Sequence, residues 1–212
     1  YEPTDVLRWV MQNLKDFKTG RVLVPGFYDD VLEASPEDRK AIAAAPWDDA
    51  GKAKEIGVKR LFHEEGFTVR ESGTIRPTLQ VNGIIGGYTG EGFKTVIGSW
   101  ARAKVRMRLV HNQDPERIYS LFEKYVRGLT GDMATVEFRK FGAGQPFRAE
   151  VSNPFVQAGL RALEAGFGKP AVAMGMGRSE RISARVVGGL CADEPLGCWS
   201  RDASHDVRMP KT

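Results

Sequence analysis

Between Ala101 and Leu109 every second residue is apolar: Ala101, Ala103, Val105, Met107 and Leu109 alternate with Arg102, Lys104, Arg106 and Arg108. A period of two puts one set of side chains against a core and the other toward water, which is a strand and not a helix. One amphipathic strand needs pairing partners and an apolar cover. Thr78-Leu79-Gln80-Val81-Asn82 also alternates and is predicted as a strand, running into the glycine-dense segment 83–92. A third strand is predicted from Ala134 to Phe141, where Val136 and Phe138 alternate with Glu137 and Arg139. Between the second and third strands, Asn112-Gln113-Asp114-Pro115-Glu116 is a helix start. It is followed by an apolar stripe of Ile118, Leu121, Phe122, Tyr125 and Leu129, with Gly131 as the stop. The order strand–strand–helix–strand with short links predicts an α+β domain, helices on one face of a mainly antiparallel sheet.

The flanking segments read as helices and turns. Val6, Val10, Leu14 and Phe17, with Leu7 and Met11 beside them, predict an amphipathic helix starting at Thr4-Asp5 and stopping near Lys18-Thr19-Gly20. Pro25-Gly26 is a turn signal, and Ser35-Pro36-Glu37-Asp38 a helix start with a capping hydroxyl, proline in the first turn and acids at the positive end of the dipole. Short helices are predicted around 49–56 and 58–65. Asn153-Pro154 opens a further helix to about Ala165, and Pro170–Met174 is predicted as a short buried strand. From Gly175 onward periodicity is lost and the chain is predicted as loop.

Composition narrows the function classes. The 212 residues carry 31 Lys+Arg against 27 Asp+Glu, a formal charge of +4 spread over both halves. A nucleic-acid surface usually needs a concentrated basic face with aromatics for stacking, and none is patterned here, so no nucleic-acid partner is expected. No stretch reaches the ~20 apolar residues of a membrane-spanning helix, and no membrane association is expected. Cys191 and Cys198 match neither a zinc ribbon nor a redox pair, so a reducing, cytoplasmic setting is the plain reading.

The chemistry-bearing residues are sparse. His63, His111 and His205 are isolated, and in His63-Glu64-Glu65 adjacent helical side chains would diverge by ~100°, which predicts a solvated helix end and not a metal site. The glycine-rich segment lacks a phosphate-loop lysine and reads as a hairpin loop whose backbone needs positive φ. Arg102, Lys104 and Arg106 are predicted on a solvated sheet face. Arg108 lies at the strand end, where a guanidinium could hold a carboxylate through two parallel hydrogen bonds.

Several segments occur together in one order: Pro25-Gly26-Phe27-Tyr28-Asp29-Asp30-Val31, Pro77–Ile84, Gly87–Ile97, Arg108-Leu109-Val110 and Asn112–Pro115. Their spacing resembles the lid, or dimerisation, domain of the aminoacylase/carboxypeptidase/dipeptidase zinc metallopeptidases, closest to the cytosolic nonspecific dipeptidase and carnosinase branch, over about residues 5–174. The resemblance implies a ferredoxin-like lid sheet in residues 1–147, lacking its first strand, and a C-terminal segment of the catalytic domain in 148–212 with a divergent tail. It implies that Thr95 contacts substrate and that Arg108, thirteen positions on, holds the substrate's terminal carboxylate. It also implies zinc in the intact enzyme, a peptide substrate and a homodimer formed through the lid.

The departures from the family shape further expectations. The family's metal ligands and general base precede the lid and have no counterpart here; the chain opens at Tyr1 without a start methionine and reads as cut. The chain alone is therefore expected to bind no zinc and to be inactive, with His205, in Asp202-Ala203-Ser204-His205, the one candidate metal ligand. A non-catalytic homodimerisation or binding module is the alternative reading.

Overall fold

The structure is a computed structural model that describes residues 1–44, 46–149, 151–171 and 173, together with the strand 204–210. The alternating segment forms β2 (Trp100–Arg108), which pairs antiparallel with β1 (Thr78–Gly86) from Thr78 opposite Arg108 to Gly86 opposite Ala101. The ladder slips by one residue between Val81 and Gly83, so β1 runs through the first glycines and extends past the predicted end at Asn82. β3 (Glu137–Lys140) is shorter than predicted. A fourth strand, β4 (Ser204–Pro210), arises where loop was expected and lies between β2 and β3, antiparallel to both. The sheet order is β1-β2-β4-β3.

One face of this sheet is covered by α1 (Pro3–Leu14) and α5 (Pro115–Thr130). Val6, Leu7, Val10 and Leu14 of α1 and Ile118, Phe122 and Val126 of α5 meet Leu79, Ala101, Ala103, Val105 and Met107 in one buried cluster. The small side chains of Ala101 and Ala103 let the helices approach closely; a Cβ added at Gly86 would lie 2.7 Å from the Ala101 methyl and 3.0 Å from a Thr4 methyl carbon. This is the α+β arrangement, helices on one face, that the alternation predicts.

α1 ends at Leu14, before Phe17, which is exposed: Lys15 turns extended and pairs with Val22, so the chain reverses three residues earlier than the stripe suggests. α2 (Pro36–Ala44) begins as predicted, with Ser35 and Asp38 exchanging side chain–backbone hydrogen bonds of 3.1 Å. α3 (Asp49–Glu55) also forms. The helix predicted over 58–65 does not; the turn of helix is instead α4 (Val69–Thr74), closed by a reciprocal capping box between Thr68 and Glu71. α6 (Pro154–Phe167) is capped by Asn153 and ends at a left-handed Gly168. Pro170, Ala171 and Ala173 are not in a strand; the rest of that predicted element lies outside the described residues.

Candidate functional site

Arg108 is the last residue of β2, and the chain beyond it is firmly held. Leu109 and Val110 are buried, and the Gln113 side chain, also buried, accepts from the Val110 amide (2.9 Å) and donates to the Phe27 carbonyl (2.8 Å). Asn112, in the left-handed region at φ 76°, donates to the Asp30 carbonyl. The motif Pro25–Val31 and the motif Asn112–Pro115, far apart in sequence, thus clamp one strand end between them. Arg108 projects from a backbone that cannot readily shift, which is what a binding guanidinium needs.

The guanidinium lines a polar cavity of about 380 Å³ with Arg76, Arg106, Ser72, Thr78 and Gln80. Period two places Arg106 and Arg108 on one face of β2, and register sets Gln80 and Thr78 opposite them. Of the three cations predicted on a solvated face, only Lys104 is exposed; Arg102 and Arg106 are half-buried. Ser72 and Gly73 of α4 and Arg76 after it border the same cavity as Arg106 and Arg108, which period alone cannot reveal. Arg76 is the member that sequence reasoning missed. Its Nε and Nη2 donate to the two Glu64 oxygens at 3.0 and 2.7 Å, and its plane lies over Tyr28 and Phe67. Glu64 is therefore not on a solvated helix end but buried in an ion pair. Around this pair, burial lowers the Lys15 amine below the usual lysine range against the raising effect of Glu64, and burial raises the Tyr28 phenol.

Thr95 is exposed in the loop 87–99 that joins β1 to β2. Gly87 and Gly92 take φ of 68° and 80° there, the hairpin-loop role expected of the glycines. The loop hangs from the end of the ladder opposite to Arg108. Eight residue steps of β2 span roughly 26 Å, whereas each residue of an extended peptide adds at most about 3.6 Å. The point from which the Thr95 loop leaves the sheet thus lies farther from Arg108 than a dipeptide spans. The structure does not bring the two predicted residues together within a chain.

His205 falls in β4, in register with Val105 and Lys140; its side chain lies outside the described residues. His63 Nδ1 lies 3.1 Å from the Glu64 carbonyl oxygen, and His111 borders a second, mainly apolar cavity of about 570 Å³ between α2, α4 and α6. Among the described residues no group of three or more His, Cys, Asp or Glu side chains could hold a metal ion. The described residues therefore do not fit a zinc centre. No described helix is long and apolar enough to cross a membrane.

Comparison with known proteins agrees with this architecture. Residues 33–133 match the peptidase dimerisation domain of M20 peptidases. A Cys-Gly metallodipeptidase of Schizosaccharomyces pombe is 26% identical over 126 residues, which is 59% of this chain and 26% of that protein. Among solved structures, an M20 family metallo-carboxypeptidase from Sulfolobus solfataricus superposes with a TM-score of 0.74 at 30% identity, over 88% of this chain and 48% of that one. Human carnosine dipeptidase 1 superposes with a TM-score of 0.72 at 21% identity, over 87% and 40%. The chain thus spans between a quarter and a half of these proteins. It is related to the dipeptidase-like M20 metallopeptidases, and residues 33–133 are similar to their dimerisation domain.

Proposed function

We propose that this relative of the M20 metallopeptidases forms the lid part of a dipeptidase-like hydrolase, residues 1–147 being the lid, which the strand 204–210 joins, and the segment that follows 147 belonging otherwise to the C-terminal part of the catalytic domain. Its own contribution is to bind and orient the peptide. Arg108 holds the terminal carboxylate through the fork of its guanidinium, and the observation that carries this is its place at an anchored strand end, beside a polar cavity that it lines with Arg76, Ser72 and Gln80. Binding at that point fixes which amide bond is presented for cleavage; the general base and the zinc ions that activate water in the family are not assigned to any described residue.

Because Thr95 lies at the far end of the hairpin, it serves a substrate held by Arg108 of a second copy. A homodimer is supported by the same hairpin: β1 is an edge strand, and Val81, Ile84, Ile85, Val96 and Ile97 are exposed along it and its loop. An edge of this kind favours pairing with another copy, which is also what a pure dimerisation module would do. The two readings differ at Arg108, which a dimerisation module does not need.

Binding measured by NMR titration with N-acetylalanine, which presents a single carboxylate, tests the clamp. Arg108→Gln should weaken binding about tenfold or more, and Arg108→Lys by a smaller factor, because a point charge lacks the fork geometry. Unchanged binding in both variants overturns the assignment. With zinc added, the chain should show no dipeptide cleavage, and measurable turnover would refute that expectation.

A further inference from the structure

We propose that a third cavity, lined by Trp47 and Phe62, binds an organic carboxylate with an apolar body, held by Arg70 and Lys15. It is mainly apolar, about 430 Å³ in volume, and Val69 and Pro77 complete its apolar walls. It meets the Arg108 cavity along Ser72, Gly73 and Arg76, but Arg70, Lys15, Trp47 and Phe62 do not border that one. The site is therefore separate from the clamp for the peptide carboxylate.

Arg70 provides the main observation. Its guanidinium lies over the Trp47 ring at 5.0 Å, a contact that occupies the face of the group and leaves its N–H donors in the plane. Two donor atoms, Nε and Nη2, are buried and have no hydrogen-bond partner. Together they form an edge that can receive both oxygens of a carboxylate in parallel. Buried donors without an acceptor are rare and costly, and at a cavity wall they mark a place for an anion. Lys15 repeats the pattern just after α1. Its amine lies 5.1 Å from the Phe62 ring centroid, and among the described residues it makes no hydrogen bond or ion pair. Burial lowers this amine below the usual lysine range against the raising effect of Glu64, as expected of a cation short of acceptors. Glu64 lines the cavity too, but Arg76 donates to both of its oxygens, at 3.0 and 2.7 Å. Arg70 also borders the larger cavity beside His111, whereas Lys15, Trp47 and Phe62 do not, so the two cations and the aromatic walls coincide only in the smaller one. Two cations set on aromatic faces suit a carboxylate, and the apolar walls suit the body that carries it.

NMR titration of the full chain with phenylacetate, phenylacetamide and acetate separates the charge from the body. Phenylacetate should bind about tenfold more tightly than either of the others and should shift the Trp47 indole N–H signal. Arg70→Met should weaken phenylacetate binding about tenfold, and Lys15→Met, which serves if Arg70→Met does not fold, several-fold. Arg70→Met should also unfold at a higher urea concentration, because it removes buried donors that have no acceptor. Phenylacetate binding no tighter than phenylacetamide or acetate overturns the proposal, as does affinity unchanged in both variants. A lower urea midpoint in Arg70→Met with unchanged affinity assigns Arg70 a purely structural role and overturns it as well. Inorganic phosphate binding as tightly as phenylacetate has the same consequence, since the cavity would then be a general anion site. If phenylacetate binding falls in Arg108→Gln and not in Arg70→Met, the ligand sits at the clamp, and this proposal fails while the clamp reading stands.

Discussion

Glu64 and Arg76 sit 12 residues apart and make the most constrained polar contact near the site, with side chains 6% and 14% exposed. A buried charge deprived of its partner is strongly destabilising, whereas exchanging both for apolar groups is often tolerated. Arg76→Met should cost about 3–5 kcal/mol in urea unfolding, and Glu64→Leu with Arg76→Met should recover most of it. Glu71 carries a second prediction. Burial tends to raise its carboxyl, but the Thr68 hydrogen bonds and Arg39 at 2.6 Å outweigh burial and hold it below the usual glutamate range. A group whose value is depressed in the folded chain stabilises above its unfolded value and loses that contribution as the pH falls through the folded one. Stability should therefore decline from about pH 4.3 downward, and Glu71→Gln, which can still close the capping box, should flatten that limb of the unfolding curve. The Thr68-x-x-Glu71 spacing is a capping-box signature legible in the sequence, but the Glu64–Arg76 pair is not: both stand in a segment of mixed pattern, and only the turn through Gly66 and α4 brings them together.

At the scale of the element, period and punctuation were the readable signals. β2, α5 and α6 formed where alternation, stripe and cap placed them, because each has a face that must be buried or a start that supplies its own hydrogen bonds. The failures fall where local signals compete with tertiary contacts. Phe17 continues the α1 stripe, yet the chain turns at Lys15 to pair with Val22. The glycines of the hairpin divide into two kinds. Gly86→Ala should destabilise by about 1–3 kcal/mol, since its methyl would meet Ala101 at 2.7 Å with backbone at 3.0 Å. Gly83→Val, where a Cβ meets only the Lys104 chain at 3.9 Å, should be neutral or mildly stabilising in a strand. Thermal unfolding of the two variants side by side checks the distinction.

Across the whole molecule the decisive feature is β4. Among the described pairings β3 has no partner other than β4, so residues more than sixty positions away join it to the sheet. Register sets Asp206 opposite Lys104 and Arg139, and Arg208 opposite Arg102 and Glu137. Val207→Pro removes a ladder donor in a central strand and should strip hydrogen-exchange protection from Glu137–Lys140 while α1 and β1 keep theirs. Seven mostly polar residues ending in proline gave too short an alternation to read as a strand, which is why the segment looked like loop. The amino-acid sequence alone determined the amphipathic elements, their α+β class and the presence of a guanidinium at a strand end, because those follow from local period, capping and residue chemistry. Tertiary structure decided which strand fills the centre of the sheet and that Thr95 and Arg108 stand at opposite ends of one hairpin. It also decided that Arg76 and Arg106 border one cavity with Arg108, because pairing order and the placement of α4 and the residues after it are long-range choices that no local pattern encodes.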